Sequence, residues 1–133
     1  MKNKLITLIF ILAFALVMAF SVSAATTVTP SAENLGDCLI NGEVVNGDGL
    51  LVTQGMSYTV LDEETKTVAL SSRGSADSFT GAVVIPSTIK IDGVEYAVVK
   101  TNPAVFKGTS ITKIYVPDTV ETIEAKAFFG TGL

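Results

Sequence analysis

Histidine is absent from this 133-residue chain, and its absence removes several kinds of chemistry. Ser–His and Cys–His nucleophilic sites and histidine-ligated metal centres are excluded, and no glycine-rich loop with a following lysine suggests phosphate binding. Carboxylates are the remaining catalytic groups. Asp62, Glu63 and Glu64 lie together on a predicted turn, whereas a paired-carboxylate hydrolase needs two acids that converge across a cleft. The sequence therefore predicts no enzyme, and a carboxylate-based hydrolase is the least favoured alternative.

The chain has a single cysteine, Cys38, so no disulfide can form within it. Asp37 stands just before it, where a lipoprotein signal needs a small residue, and the position is too far from the apolar run at the N-terminus. The sequence predicts that Cys38 is buried as a small apolar residue. A disulfide between two chains is the alternative.

Basic residues are scarce. Without Lys2 and Lys4, 7 basic residues stand against 13 acidic ones, a net charge of −6. Because binding to nucleic acid or anionic lipid requires clustered lysine and arginine, this balance argues against both partners.

Segment 1–25 has the pattern of a signal peptide. Lys2 and Lys4 form a positive n-region, an apolar run extends from Leu5 to Phe20, and small residues follow. Both Val22-Ser23-Ala24 and Ser23-Ala24-Ala25 fit signal peptidase, so cleavage is predicted after Ala24 or Ala25. A retained membrane anchor is the alternative, but the apolar run is short for a span of about 20 residues. The sequence predicts a protein that is secreted or held at the cell surface and that meets the membrane only during export.

The rest of the chain is long enough for one domain. Its composition predicts a flexible lead-in at 26–36, and a β pattern follows over 37–81 and 82–133. Three hairpins are predicted at short turns: Leu39-Ile40 with Val44-Val45 around Asn41-Gly42, Tyr58–Leu61 with Thr67–Leu70 around 62–65, and Thr88–Ile91 with Val94–Val99 around Asp92-Gly93, a type I′ candidate. We further predict a turn at 46–49, a short strand at 50–53 and a loop at 71–81. No long helical periodicity is present.

Calcium is the one candidate metal. Glu43, Asn46 and Asp48 supply oxygen ligands, but their spacing differs from that of an EF-hand loop. We interpret them as part of a turn and predict no metal site and no cofactor.

An internal repeat lies near the C-terminus. Val105-Phe106-Lys107-Gly108-Thr109-Ser110-Ile111 is echoed, at an offset of 22, by Ala127-Phe128-Phe129-Gly130-Thr131-Gly132-Leu133. Upstream, Val84-Ile85-Pro86-Ser87-Thr88-Ile89 is echoed, at an offset of 31, by Tyr115-Val116-Pro117-Asp118-Thr119-Val120. The larger offset follows from the hairpin around Asp92-Gly93, which lengthens the first unit.

These residues resemble the BspA-type leucine-rich repeat of bacterial surface proteins, over about Tyr58 to Leu133. One full unit comprises Ile111, Ile114, Val116, Pro117, Val120, Ile123, Ala127, Phe128 and Gly130, and a degenerate earlier unit comprises Val83, Ile85, Pro86, Val98, Val105, Phe106 and Gly108. Three residues depart from the family pattern. Thr101 stands where the pattern has an apolar residue, and Asn102 and Glu124 stand where it has glycine. The resemblance implies a mainly β fold, in which a β-hairpin capping region at 37–81 leads into a short leucine-rich-repeat solenoid at 82–133, with parallel strands and short helical or irregular returns.

The repeat also follows from the physical pattern of its residues. Ile114 and Val116 alternate with Lys113 and Tyr115, as a half-buried strand requires, and Pro117 ends that strand. Val120, Ile123, Ala127 and Phe128 fall near helical spacing, which indicates a short return turn. Since stacked units bury each other's apolar side chains, we expect Ile114 and Phe128 to be buried in the last unit and Phe128 to stack on Phe106.

The resemblance implies an adhesin-like protein that binds an extracellular protein or glycan. Lys113 and Tyr115, predicted to face outward on a strand, are the candidate partner-binding residues. The alternative is a structural N-terminal cap of a longer or truncated repeat array, without a ligand of its own. Leu133 is equivalent to Ile111, so a new unit begins there, and the strand near 114–116 would leave an open edge through which chains could self-associate.

Overall fold

The computed structural model describes residues 26–45, 55–74 and 79–133. The strands of these residues are β1 (Thr27–Val28), β2 (Leu39–Ile40), β3 (Glu43–Val44), β4 (Ser57–Asp62), β5 (Thr67–Ser72), β6 (Thr80–Val84), β7 (Thr88–Ile91), β8 (Val94–Thr101), β9 (Ser110–Tyr115) and β10 (Thr122–Ile123). A 3-10 helix over Ala32–Asn34 is the one helix in the described ranges. None of the helical structure described there is long and apolar enough to cross a bilayer.

The three predicted hairpins are confirmed. β2 pairs with β3, β4 with β5 and β7 with β8, each antiparallel. Two of the turns have positive φ at both central residues, 54° and 78° at Asn41-Gly42 and 51° and 78° at Asp92-Gly93. Asparagine, aspartate and glycine tolerate this conformation best, and the resulting type I′ turn matches the twist of the flanking strands.

Parallel pairs join the hairpins into mixed sheets. The larger sheet has the order β1-β4-β5-β8-β10, with β7 also on β8, and the β5–β8 and β8–β10 pairs are parallel. A second sheet consists of the parallel pair β6–β9. The prediction of a mainly β fold with parallel strands is therefore confirmed.

The core lies where side chains from both sheets meet. The larger sheet contributes Tyr58, Leu70 and Val98, and the smaller sheet contributes Val83 and Ile111, all of them buried. Phe79 and Phe106 enter this core from the connections between the sheets. Burial of these large apolar side chains is the main stabilising contribution available to a chain of this size.

The segment 26–36 differs from the predicted flexible lead-in. β1 pairs with β4, the 3-10 helix follows, and Leu35 forms an antiparallel bridge with Ile89. Main-chain hydrogen bonds and the two apolar residues Val28 and Leu35 hold this segment, and two isolated apolar residues leave no periodic pattern in the sequence.

Two boundaries also need correction. The predicted loop at 71–81 overlaps the end of β5 and the start of β6. β8 continues beyond Val99 to Thr101. The predicted short return after Pro117 consists of turns and the short strand β10. The predicted signal peptide at 1–25, the turn at 46–49 and the strand at 50–53 lie outside the described residues.

Candidate functional site

The registers of the parallel strands coincide with the two repeat offsets of the sequence. On the larger sheet Lys100 pairs with Thr122 and Thr101 with Ile123, which matches the offset of 22. On the smaller sheet Val84 pairs with Tyr115, which matches the offset of 31. The first residues of the upstream echo, Val84 and Tyr115, are therefore neighbours in space, and the strand residues that precede the downstream echo pair at its offset.

The turn over 104–109 and the turn over 126–131 have the same geometry. Ala104 and Lys126 have φ of 58° and 59°, and Gly108 and Gly130 have φ of 73° and 72°. Their hydrogen bonds also correspond: Lys107 N and Phe129 N donate to Ala104 O and Lys126 O, and Thr109 Oγ1 and Thr131 Oγ1 donate to Phe106 O and Phe128 O at 2.8 and 2.9 Å. The sequence echo between these turns is thus a repeat of backbone conformation.

A ladder of main-chain hydrogen bonds stacks the second turn on the first. The N–H groups of Ala104, Phe106 and Gly108 donate to the carbonyl oxygens of Ala125, Ala127 and Phe129 at 3.1, 2.9 and 3.0 Å. Alternate residues along the turn thus all donate in one direction.

The phenylalanine rings stack in the same direction as this ladder. The rings of Phe106 and Phe128 are parallel to within 4°, with centroids 5.7 Å apart, so the expected stacking is confirmed. Phe79 extends the row, tilted by 56° at 6.1 Å from Phe106. Sequence reasoning missed Phe79 because it lay in a stretch interpreted as a loop, although Phe79-Thr80-Gly81 shares the Phe-x-Gly spacing of the two later turns.

The last unit is more open than expected. Phe106 and Ile111 are fully buried, whereas the equivalent Phe128 and the strand residue Ile114 are only partly buried, which corrects the expectation for both. Large apolar side chains are exposed at this end: Ile123 at 47%, Phe129 at 62% and Leu133 at 55%. The final strand is β10 rather than the stretch near 114–116, and among the described residues β10 pairs with β8 alone.

The three departures from the family pattern have different consequences. Glu124 carries an ion pair with Lys100, 2.7 Å long and one third exposed at both ends, which is worth little on its own. Asn102 N donates to Leu70 O at 2.8 Å and so links β5 to the start of the turn. Thr101 is fully buried, and its Oγ1 has no hydrogen-bond partner.

Lys113 and Tyr115 lie side by side on β9. The Lys113 ammonium is 5.0 Å from the centroid of the Tyr115 ring, within the range of a cation–π contact. Lys113 is exposed and Tyr115 is half-buried, and the exposed Ala82 of β6 lies opposite Lys113. The two candidate residues therefore form one small amphipathic surface, in which the lysine covers a face of the ring.

Cys38 is fully buried, as predicted. Burial, with a smaller contribution from the negative charge of Asp118, raises the pKa of its thiol to about 11. Its Sγ faces the carbonyl oxygen of Tyr115 at 4.0 Å. A thiol in this environment is a weak nucleophile at neutral pH.

The acidic turn at 62–64 is an exposed hairpin tip. Asp62 Oδ1 accepts hydrogen bonds from the backbone N–H groups of Glu64 and Thr65 at 2.7 and 3.2 Å, so its carboxylate closes the turn. Glu43, one of the three weighed calcium ligands, is exposed on β3, and Asn46 and Asp48 lie outside the described residues. No group of three or more acids or cysteines within the described ranges is arranged to hold a metal ion.

A cleft of about 300 Å³ separates the segment 33–39 from the β7–β8 hairpin. Glu33, Asp37 and Glu95 line it together with Lys90, and Leu35 and Leu39 supply its apolar part. All four of these charged residues are exposed.

Comparisons of the chain with protein-family models, with curated proteins and with solved structures find no match. The resemblance to the BspA-type repeat therefore depends on the quoted residues, and the assignment of function depends on the geometry of the repeated turns and of the surface around them.

Proposed function

We propose that this protein is an exported, non-enzymatic repeat protein of the BspA-like leucine-rich-repeat type, which binds an extracellular protein or glycan. The observation that carries the proposal is the repeated turn: the stretches 104–109 and 126–131 share φ angles and hydrogen bonds and stack directly on each other. Equal turns stacked at a fixed offset are the defining feature of repeat architectures.

The parallel strands support the solenoid part of the proposal. β5, β8 and β10 follow one another in parallel on one side of the molecule, while β6 and β9 do so in the smaller sheet. Each successive unit thus adds a strand to a growing parallel ladder, and the phenylalanine rings stack along the same direction. The hairpin β4–β5 begins the ladder, which fits its predicted role as an N-terminal cap.

The binding part of the proposal centres on Lys113 and Tyr115. Tyrosine is enriched at interfaces, because it combines a large apolar ring with a polar end. A partner that contacts the β6–β9 face would meet this ring together with a positive charge, on a protein whose net charge without segment 1–25 is negative.

The binding test uses the exported protein against a panel of extracellular-matrix proteins and cell-wall glycans. Lys113→Ala and Tyr115→Ala should each weaken the strongest interaction. Lys66→Ala is the matched control, since Lys66 also lies over a tyrosine ring, that of Tyr96, at 5.4 Å. A panel without any saturable binding, or equal losses for Lys66→Ala and Lys113→Ala, would refute the proposed surface.

Export is tested separately by N-terminal sequencing of the protein recovered outside the cell. We expect the processed chain to begin at Ala25 or Thr26. A chain that stays unprocessed in the membrane fraction would contradict the signal peptide and support the retained anchor.

A structural cap without a ligand is the second candidate function. The hairpin β4–β5 favours it, because this hairpin begins the parallel ladder to which β8 and β10 are added. A processed protein that binds nothing in the panel, and that gains stability when repeats are added, would support this candidate.

A further inference from the structure

Residues 37–45, which contain the hairpin β2–β3, form a strap across the two repeat units. Ser87 and Asp118 are equivalent positions of these units, at the offset of 31. The N–H group of Ser87 donates to Asp37 O at 2.9 Å, and that of Asp118 donates to Leu39 O at 2.8 Å. Successive units therefore bind alternate carbonyl groups of one extended segment.

The side chains of the same two residues fasten the strap a second time. Ser87 Oγ accepts a hydrogen bond from Leu39 N at 2.8 Å, and Asp118 Oδ2 accepts one from Gly42 N at 3.0 Å. Apart from the 4.0 Å contact of Cys38 Sγ, these bonds and the two main-chain bonds are the hydrogen bonds between the strap and the rest of the described chain. Two positions, one in each unit, thus hold the strap in place.

Apolar packing contributes little to the attachment of the strap. None of residues 37–45 belongs to the hydrophobic core cluster, and Cys38 is buried outside it. The cross-strand partners Leu39 and Val44 are 36% and 44% exposed, and among the described residues the β2–β3 sheet has no third strand. A two-stranded hairpin is marginally stable on its own, and a segment with few buried apolar contacts opens at a lower free energy than the whole domain unfolds.

We propose that the strap opens as one unit while the rest of the protein stays folded, and that Ser87 and Asp118 are the two fastenings that keep it closed. In the open form both residues lose their hydrogen bonds to the strap, and the thiol of Cys38 becomes accessible to solvent. Because Cys38 Sγ lies 4.0 Å from Tyr115 O, the closed strap borders the strand end that carries Tyr115. Opening therefore changes the surface beside Lys113 and Tyr115, and a partner that contacts this surface in one form only shifts the balance toward that form.

Chemical labelling of Cys38 measures the opening, because the chain has no second cysteine. The exported protein is mixed with an aromatic disulfide reagent: the thiolate of Cys38 attacks one sulfur of the reagent, and the other half leaves as a coloured thiolate. At low urea we expect labelling that is faster than global unfolding allows and that depends more weakly on urea, since local opening exposes less surface. Labelling that follows the global free energy of unfolding and its urea dependence would overturn the proposal.

The fastening at Asp118 is tested by two substitutions that remove the same charge. Asp118→Ala deletes the acceptor of the Gly42 N–H and should speed labelling by about tenfold, whereas Asp118→Asn keeps a side-chain oxygen and should label more slowly than Asp118→Ala. This comparison is needed because burial and, to a smaller extent, the charge of Asp118 raise the pKa of the Cys38 thiol. Glu121→Ala removes an exposed acid from the same return; it is the control and should label within about twofold of the parent.

Amide hydrogen exchange by NMR shows whether the strap opens as one unit. In Asp118→Ala the amides of Leu39 and Ser87, at the other fastening, should exchange faster by a factor similar to that found for Cys38 labelling. The amide of Phe106, which is bound in the repeated turn outside the strap, should keep the rate of the parent. Unchanged exchange at Leu39 and Ser87 would mean that the two fastenings release separately, which contradicts a single opening unit.

The parent protein alone decides the proposal if circular dichroism shows that Asp118→Ala is unfolded, because labelling of the parent at increasing urea needs no substitution. Equal labelling of Asp118→Ala and Asp118→Asn would overturn Asp118 as a fastening and leave its charge as the cause. Binding to the panel of extracellular partners is a separate result. A protein that binds none of them still tests the strap, because both measurements are made on the free protein.

Discussion

Threonines 101 and 109 are both buried, and they differ in what their hydroxyl groups contact. Thr109 Oγ1 donates to Phe106 O at 2.8 Å, whereas Thr101 Oγ1 has no partner. Thr101 lies in a row of cross-strand partners with Leu70 and Tyr58, and the hydroxyl of the fully buried Tyr58 is unpaired as well. A buried hydroxyl without a hydrogen bond costs about 1–3 kcal/mol relative to an apolar group of the same shape.

Thr101→Val should therefore stabilise the protein by about 1 kcal/mol, because it replaces an unpaired hydroxyl with a methyl group of similar size. Thr109→Val, the control, should destabilise it by about 1 kcal/mol, since it removes a hydrogen bond from the turn. Urea denaturation of the two variants and the parent measures both changes. Destabilisation of similar size in both variants would mean that Thr101 has a partner in solution.

Cys38 should make stability depend on alkaline pH. Its thiol has a pKa of about 11 in the folded protein against an ordinary value of 9.0, so the folded state favours the neutral form. The unfolded state loses this proton first as the pH rises. The stabilising contribution is thus complete below pH 9 and is lost as the pH rises toward 11.

We expect the free energy of unfolding of the parent to fall more steeply between pH 9 and pH 11 than that of Cys38→Ala. Denaturation curves for the two proteins at several pH values in this window measure the difference. Tyr58 also has a raised pKa because it is buried, but it is present in both proteins and cancels in the comparison. If the free energy of unfolding of the two proteins changed in parallel with pH, this would contradict the burial of the Cys38 thiol.

Among the secondary-structure elements, those that could be predicted from the sequence are determined by residues within the element itself. Asn41-Gly42 and Asp92-Gly93 fix their hairpins because few other residues accept positive φ at both turn positions. The turn containing Phe128 was predictable because its sequence repeats that of the turn containing Phe106. β1 was not predictable, since it depends on partners distant in sequence, Thr59 and Tyr58. Phe79 was missed although its Phe-x-Gly spacing repeats that of the turn containing Phe106.

The two stacked phenylalanines should differ in their contribution to stability. Phe106 is fully buried between Phe79 and Phe128, so Phe106→Ala should cost about 3–5 kcal/mol. Phe128 has a ring on one side and is partly exposed, so Phe128→Ala should cost at least about 1 kcal/mol less. Thermal or urea denaturation measures both losses. Equal losses would mean that Phe128 is covered in solution, and no loss in either variant would refute the stacked rings as part of the core.

For the whole molecule, the predicted signal-peptide cleavage leaves β1 intact at the N-terminus. β1 and the adjoining Thr29 contact β4 through side chains as well as the main chain, with Thr27 Oγ1 3.0 Å from Thr59 Oγ1 and Thr29 Oγ1 2.7 Å from Ser57 Oγ. Val28 packs against the core, and Thr26 O accepts a hydrogen bond from Val60 N at 2.9 Å. Thr26, Thr27 and Val28, which lie just after the predicted cleavage sites, are therefore held to the sheet.

A protein that begins at Ser31 should consequently be less stable than one that begins at Thr26, by about 1–3 kcal/mol, since it loses the β1 hydrogen bonds and the burial of Val28. Urea denaturation of the two truncated proteins provides the comparison. A third protein that begins at Thr26 with Val28→Ala separates the apolar contribution from that of the main chain. Equal stability at the two starting points would mean that β1 is dispensable.

The open end of the repeat leads to the last prediction. Because the turn over 126–131 has the same geometry as the turn that it covers, a further copy of residues 112–133 attached after Leu133 has a site on which to stack. It would supply carbonyl oxygens to the N–H groups of Lys126, Phe128 and Gly130 and cover the exposed Ile123 and Phe129. Since nearest-neighbour contacts add to the stability of repeat proteins, the extended protein should melt several degrees higher than the parent, by about 4–8 °C per kcal/mol gained. An attached glycine–serine segment of equal length is the control and should leave the melting temperature unchanged.

Light scattering across a concentration series completes the test: if the parent self-associates through this end, the extended protein should associate less, because its Phe129 is covered. The extended protein could instead melt at the same temperature as the parent and leave Phe129 exposed. The added unit would then not stack on the 126–131 turn, which favours a stand-alone binding protein over a cap.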